Sequence, residues 1–134
     1  SIRQRSTTYQ ASTALPPPVV AAGIASLKII KENPELKNKL LEKSAQLKEE
    51  IIALGFKTIG DNTPIIPLIM SSAERAKSLS SFLEKNGIIV PFMNYPSRNE
   101  MYILRIALTA NHSSAPIRSL TANLNKWIIK NGKE

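Results

Sequence analysis

Residues 101–112 read Met-Tyr-Ile-Leu-Arg-Ile-Ala-Leu-Thr-Ala-Asn-His, with one arginine in the middle of an otherwise apolar strand. At period two, Tyr102, Leu104, Ile106 and Leu108 point to one face, and Ile103, Arg105, Ala107 and Thr109 to the other. Arg105 therefore belongs to the less apolar face. A guanidinium keeps its charge at any working pH, so within a sheet it requires an anionic partner or water on its own side. Two readings stay open on the strand alone: an edge-strand arginine in a structural ion pair, or an arginine that grips the carboxylate of a ligand bidentately.

Working outward from this strand, residues 94–100 read as a polar loop with Pro96, and residues 88–93 as the strand before it. Residues 73–86 carry Ala76, Leu79, Phe82 and Leu83 at helical spacing and stop at Gly87. Residues 65–70 form a strand that Pro67 demotes toward an edge. Gly60-Asp61-Asn62 is a turn, and residues 56–59 are a short strand. On the other side, Ser113 or Ser114 caps a last helix with Pro116 in its first turn and Ile117, Leu120, Leu124 and Ile128 as its buried stripe.

Further toward the N-terminus, residues 1–18 form an extended arm that carries Arg3 and Arg5 and ends in Pro16-Pro17-Pro18, whose last ring suits a first helical turn. The helix that follows, to Glu32, is apolar or small nearly all round, which predicts burial on most sides. Asn33-Pro34 interrupts it. A second helix then shows Leu36, Leu40, Leu47, Ile51 and Leu54 on one stripe, charges opposite, and Gly55 as its stop. The order is helix, helix, strand, strand, helix, strand, strand, helix. It predicts an α+β domain over residues 19–134, a small and mostly antiparallel sheet of about four strands covered by helices.

The 134 residues suffice for one core, and the 43% hydrophobic content is ordinary for a globular chain. A net charge of +8 suggests anionic partners. The lysines of residues 28–57 nevertheless alternate with Glu32, Glu35, Glu42, Glu49 and Glu50 as on a solvated helix face, and the few aromatics do not interleave with them, which argues against nucleic acid. No apolar run approaches the roughly 20 residues of a membrane span, and the N-terminus lacks the order of a signal peptide. With no cysteine, there is neither a disulfide nor a thiolate nucleophile, and the cytosol is the expected compartment. Ser1-Ile-Arg-Gln-Arg-Ser reads like the interior of a longer protein.

His112 is the sole histidine, so no histidine cluster for a metal exists, and no glycine-rich phosphate loop occurs. The carboxylates fall at exposed helical spacings and form no acid/base pair. The chain carries binding groups without a catalytic constellation.

At Ser12-Thr13-Ala14-Leu15-Pro16-Pro17 and again at Leu104-Arg105-Ile106-Ala107-Leu108-Thr109-Ala110-Asn111-His112, the sequence resembles the C-terminal portion of the α-oxoamine synthases. These are pyridoxal-phosphate enzymes of aminotransferase fold type I (class I/II) and include 8-amino-7-oxononanoate synthase and 2-amino-3-ketobutyrate CoA ligase. Arg3-Gln4-Arg5-Ser6, Pro64-Ile65-Ile66-Pro67 and Gly87-Ile88-Ile89-Val90 fall in the same order. The resemblance implies the C-terminal small domain of a homodimeric acyltransferase that condenses an amino acid with an acyl-CoA and releases carbon dioxide. It implies that Arg105 binds the substrate carboxylate, and that Thr13, with Ser12, reaches the phosphate of the partner's pyridoxal 5'-phosphate. The family's Schiff-base lysine, its pyridine-pairing aspartate and its ring-stacking histidine all lie upstream of these motifs, so no catalytic residue is assigned and the fragment alone is expected to be inactive. The loop at Tyr95-Pro96-Ser97-Arg98-Asn99 is shorter and more polar than the family's turn. An ordinary fold type I aminotransferase and a stand-alone interaction domain are the alternatives.

Overall fold

The computed structural model describes Arg5, residues 15–94 and residues 101–133. Ser12, Thr13 and the loop carrying Arg98 lie outside the described residues. The chain divides into two compact units, Ser1–Pro34 and Glu35–Glu134.

The first unit contains helix α1 (Pro17–Glu32). Pro17 and Pro18 occupy its first turn, where a missing N–H is harmless, and the Pro16 carbonyl receives the N–H groups of Val19 and Val20. None of its residues is buried, and Val19, Val20, Ile24, Leu27, Ile29 and Ile30 are 43–64% exposed. This corrects the expectation of burial on most sides, because apolar composition supplies a surface to be covered and does not supply the cover.

The second unit starts in α2 (Pro34–Ala53) and continues through β1 (Lys57–Thr58), β2 (Ile65–Met70), α3 (Ala73–Lys85), β3 (Phe92–Asn94), β4 (Tyr102–Ala107) and α4 (Ser114–Asn131). The element order and the α+β class are those the patterning predicts. Within α2 the stripe engages the core from Leu40 onward: Leu40 is half-buried against it, Ser44, Leu47 and Ile51 are buried, and Leu36 is exposed. Gly55 ends the helix at φ +97°, with the Phe56 N–H reaching back to the Ile51 carbonyl.

The sheet is antiparallel throughout, in the order β1-β2-β4-β3. β2 and β3 thus run parallel on either side of β4, joined through α3, which packs on all three strands. β2 is therefore an inner strand, which corrects the edge placement inferred from Pro67. Register explains how the proline is accommodated. Pro67 faces Arg105, while the Leu108 N–H bonds to the Pro64 carbonyl, so Pro64, Ile66 and Leu68 are the positions that exchange hydrogen bonds with β4. The imino nitrogen of Pro67 is directed to the opposite flank, and there β1 pairs only as far as Thr58 with Leu68. β3 begins after Pro91, later than the expected start at residue 88.

One face of the sheet carries Ile66, Leu68, Met70, Leu104, Ile106 and Leu108 into a core completed by Leu47 and Ile51 of α2, Leu79 and Leu83 of α3, and Leu120, Leu124 and Trp127 of α4. Trp127 stacks against Phe56 at 6.4 Å between ring centroids. Arg75 lies over its indole, 4.8 Å from the ring centroid, and donates to the carbonyls of Asn131 at 2.9 Å and Gly132 at 3.0 Å. One side chain thereby binds two of the terminal carbonyls that a helix leaves without partners.

Candidate functional site

The other face of the sheet bears the candidate site. It reads in transverse rows, because residues paired across antiparallel strands share a face. Ile69, Ile103 and Met93 form one row, and Ile65 with Ala107 another. Between them stands Arg105, opposite Pro67 of β2. The Arg105 N–H bonds to the Pro91 carbonyl at 3.1 Å, which extends the β3 register by one residue and sets Pro91 on the other side. Ile65, Pro91, Arg105, Ala107 and Thr109 are exposed, and Pro67, Ile69 and Met93 are half-buried. Among the described residues the paired positions next to Arg105 on this face are aliphatic or imino, and Lys57 of β1, opposite Ile69, stands at the outer end of the neighbouring row.

Among the described residues no ion-pair partner of Arg105 is found; the ion pair recorded there is Lys28 with Glu32 in α1. A fixed cation on an apolar floor, facing outward, can engage a carboxylate through two parallel N–H···O bonds.

The segment leaving β4 is held from two directions. The Thr109 N–H donates to His112 Nδ1 at 3.0 Å, and the His112 N–H donates to the Thr109 carbonyl at 3.1 Å. With Nδ1 as acceptor and the His112 N–H as donor, the residue closes the turn that follows β4 from both its side chain and its backbone. Half-buried Lys43 of α2 donates to the carbonyls of Ala110 at 3.1 Å and His112 at 2.8 Å. The sequence pattern passed over this tie, since Lys43 reads as one more solvated lysine; its place between Leu40 and Leu47 on the apolar stripe is the signal that could have exposed it. Among the described residues no group of histidine, cysteine or carboxylates could hold a metal.

A cavity of about 340 Å³ opens at the end of the sheet between Ile88, Ile106, Leu108, His112, Ile117 and Leu120. Arg105 does not line it, and no Lys, Arg, Asp or Glu does. The carboxylate-sized opportunity is therefore the open sheet face. Ser12 and Thr13 lie outside the described residues, so their geometry is not part of the site described.

A family model described as aminotransferase class I and II matches residues 1–124. The 8-amino-7-oxononanoate synthase of Nitrosococcus oceani is 35% identical over 122 residues, which is 90% of this chain and 32% of that protein. Among solved structures, the chain resembles 8-amino-7-oxononanoate synthase from Francisella tularensis, with a TM-score of 0.79 at 25% identity over 96% of this chain and 38% of that one. It also resembles the Sphingomonas wittichii serine palmitoyltransferase, with a TM-score of 0.86 at 23% identity over 98% of this chain and 34% of that one. The chain spans about a third of the length of the curated relatives it matches.

Proposed function

The chain belongs to the aminotransferase class I and II family, and from that membership we propose that it forms the small domain of a pyridoxal-phosphate acyltransferase that joins an amino acid to an acyl-CoA with loss of carbon dioxide. The observation that carries this reading is Arg105, a cation on an open, apolar sheet face with no ion-pair partner among the described residues. In its role the guanidinium receives the α-carboxylate of the amino acid and fixes the orientation of the Cα substituents, so that the bond to be broken is presented in one direction. The choice of an acyl-CoA co-substrate draws support from the Ser12-Thr13 and 104–112 motifs, which resemble those of the α-oxoamine synthases.

The hydroxyls of Ser12 and Thr13 are a donor pair suited to phosphate oxygens, and in this reading they hold the cofactor phosphate in the neighbouring subunit of a homodimer in the cytosol. Bound pyridoxal phosphate supplies an electron sink for carbanion chemistry. The reading needs a lysine to hold the cofactor covalently, and the described residues offer none: no lysine is buried, and the two half-buried ones, Lys43 and Lys48, donate to backbone carbonyls. The chain by itself would bind and orient without turning over.

The test is steady-state kinetics of the full-length protein with Arg105→Ala and Arg105→Lys. Loss of a bidentate charge-assisted pair raises the amino-acid KM by roughly 10- to 100-fold, while the acyl-CoA KM stays put. Lysine, a point charge without the fork, restores part of the loss. An amino-acid KM unchanged in Arg105→Ala overturns the carboxylate assignment. Amino-group transfer to a keto acid with no acyl-CoA requirement makes the protein an ordinary aminotransferase instead.

A further inference from the structure

We propose that Pro67 and Pro91 are positioning residues for Arg105, two imino rings that stand on either side of the arginine in one transverse row and hold its side chain upright on the open sheet face. The inference rests on the reading of Arg105 as the carboxylate-binding group, and it adds what prepares that group for binding.

The row follows from register. Pro67 is the direct cross-strand partner of Arg105 on β2. Hydrogen bonding of β2 to β4 runs through the positions on either side of Pro67, as the Leu108 N–H to Pro64 carbonyl bond at 2.8 Å fixes, so Pro67 and Arg105 form a non-hydrogen-bonded pair. In such pairs the Cα atoms approach to about 4.5 Å and the side chains lie closest. On the other flank, the bond from the Arg105 N–H to the Pro91 carbonyl makes Pro91 the opposing residue, at the wider separation of about 5.5 Å typical of a hydrogen-bonded pair. Inward-facing Val90 is buried and Phe92 half-buried, whereas Pro91 between them is exposed, which puts its ring on the same face as Arg105.

Three properties of proline matter here. The ring fixes its own backbone torsion, so each wall of the slot is stiff. It has no side-chain donor or acceptor, so neither neighbour competes with a ligand for the guanidinium. It is apolar, so the methylene stem of Arg105 can lie against it while the charged head stays in water. Arginine is among the side chains with most rotamer freedom to lose on binding, and a stem confined beforehand loses less of it. Of the adjoining rows, that of Ile65 and Ala107 is aliphatic, and that of Ile69, Ile103 and Met93 ends at the β1 edge in Lys57, a cation that offers the guanidinium no acceptor.

The experiment compares Pro67→Ala/Pro91→Ala with the parent in two readouts. In the 134-residue chain, nuclear magnetic relaxation of the Arg105 Nε–H group reports the order of the side chain; in the full-length protein, kinetics report KM and kcat. Widening the slot is expected to lower the Arg105 order parameter and to raise the amino-acid KM about tenfold, with kcat changed by less than about twofold. Pro67→Val/Pro91→Val, which returns branched bulk on both sides, is expected to recover most of both effects. A folded double-alanine variant with an unchanged Arg105 order parameter overturns the inference, as does a KM that stays at the parent value while Arg105→Ala raises it. If Arg105→Ala leaves KM unmoved, the carboxylate reading falls and the relaxation measurement alone decides the slot. Should the double variant not fold, Pro91→Ala at its exposed position is read by the same two criteria.

Discussion

Arg105 and Arg75 are the same residue type in opposite circumstances. Arg75 is occupied, set over Trp127 and bonded to the carbonyls that end α4, whereas Arg105 projects from the open sheet face with no ion-pair partner among the described residues. Their substitutions should separate accordingly. Arg75→Ala is expected to lower unfolding free energy by about 2 kcal/mol, from a lost cation–π contact and charge-assisted bonds. Arg105→Ala should stay within about 0.5 kcal/mol of the parent, as solvent-facing positions do. Urea unfolding of both variants decides the matter, and equal losses would contradict the contrast. Glu74, in the first turn of α3, adds a pH dependence. Hydrogen bonds from its own backbone N–H and from the Ser72 hydroxyl hold its carboxyl below the usual carboxylate range. A carboxylate depressed in the folded state stabilises above its unfolded pKa, and that contribution disappears as pH falls through the folded value. Glu74→Gln should therefore narrow the stability difference between neutral and acid pH, with parent and variant converging at the acid end; a constant offset across the range would contradict this. Arg105 could be singled out from residues 101–112 because a lone cation in an alternating strand is conspicuous. The structural role of Arg75 was hidden, since its partners lie more than fifty positions away at Asn131 and Gly132.

At the level of elements, periodicity gave the right kinds and order, and proline was the residue that misled. Pro67 reads as an edge marker when the two flanks of its strand cannot be told apart. Here its missing N–H falls on the flank where β1 stops at Thr58, so the ladder to β4 stays whole and β2 remains inside the sheet. Helix ends were easier to read, because glycines after apolar stripes have a backbone reason to be there. Gly87 sits at φ +76° beyond α3, while the Ile88 N–H bonds back to the Leu83 carbonyl. A Cβ at Gly87 meets nothing within 4 Å, so Gly87→Ala isolates backbone strain and should destabilise by about 1 kcal/mol. Gly23, within α1, also has open space around it, and its φ is not left-handed. Gly23→Ala should instead favour helix by roughly 0.5–1 kcal/mol. Thermal melts of the first variant and helical ellipticity of the second test the pair, and the same sign for both would refute the distinction.

Across the whole molecule, every residue of the buried core lies between Leu47 and Ile128, inside the second unit. Residues 35–134 are therefore expected to fold without the first 34 and to keep the near-ultraviolet signature of the parent; loss of that signature would show that α1 contributes to the core. The apolar surface of α1 has another consequence. Six large aliphatic side chains at 43–64% exposure on one helix form the kind of patch that associates. Changing Val20, Ile24 and Leu27 to serine should reduce concentration-dependent sedimentation of the chain without shifting the unfolding of residues 35–134. What patterning could not supply here was the distinction between an apolar helix that is covered and one that is not, because cover is a property of the neighbouring surface rather than of the helix.

Trp127 is the single tryptophan of the chain, and it is wedged between Phe56 at the start of the sheet and Arg75 at the start of α3. Its indole is therefore a native optical probe placed where strand, helix and C-terminus converge. Emission from this one ring should be blue-shifted while the three are joined and should move to the red as they part, so that assembly of the domain can be followed in real time with no dye attached.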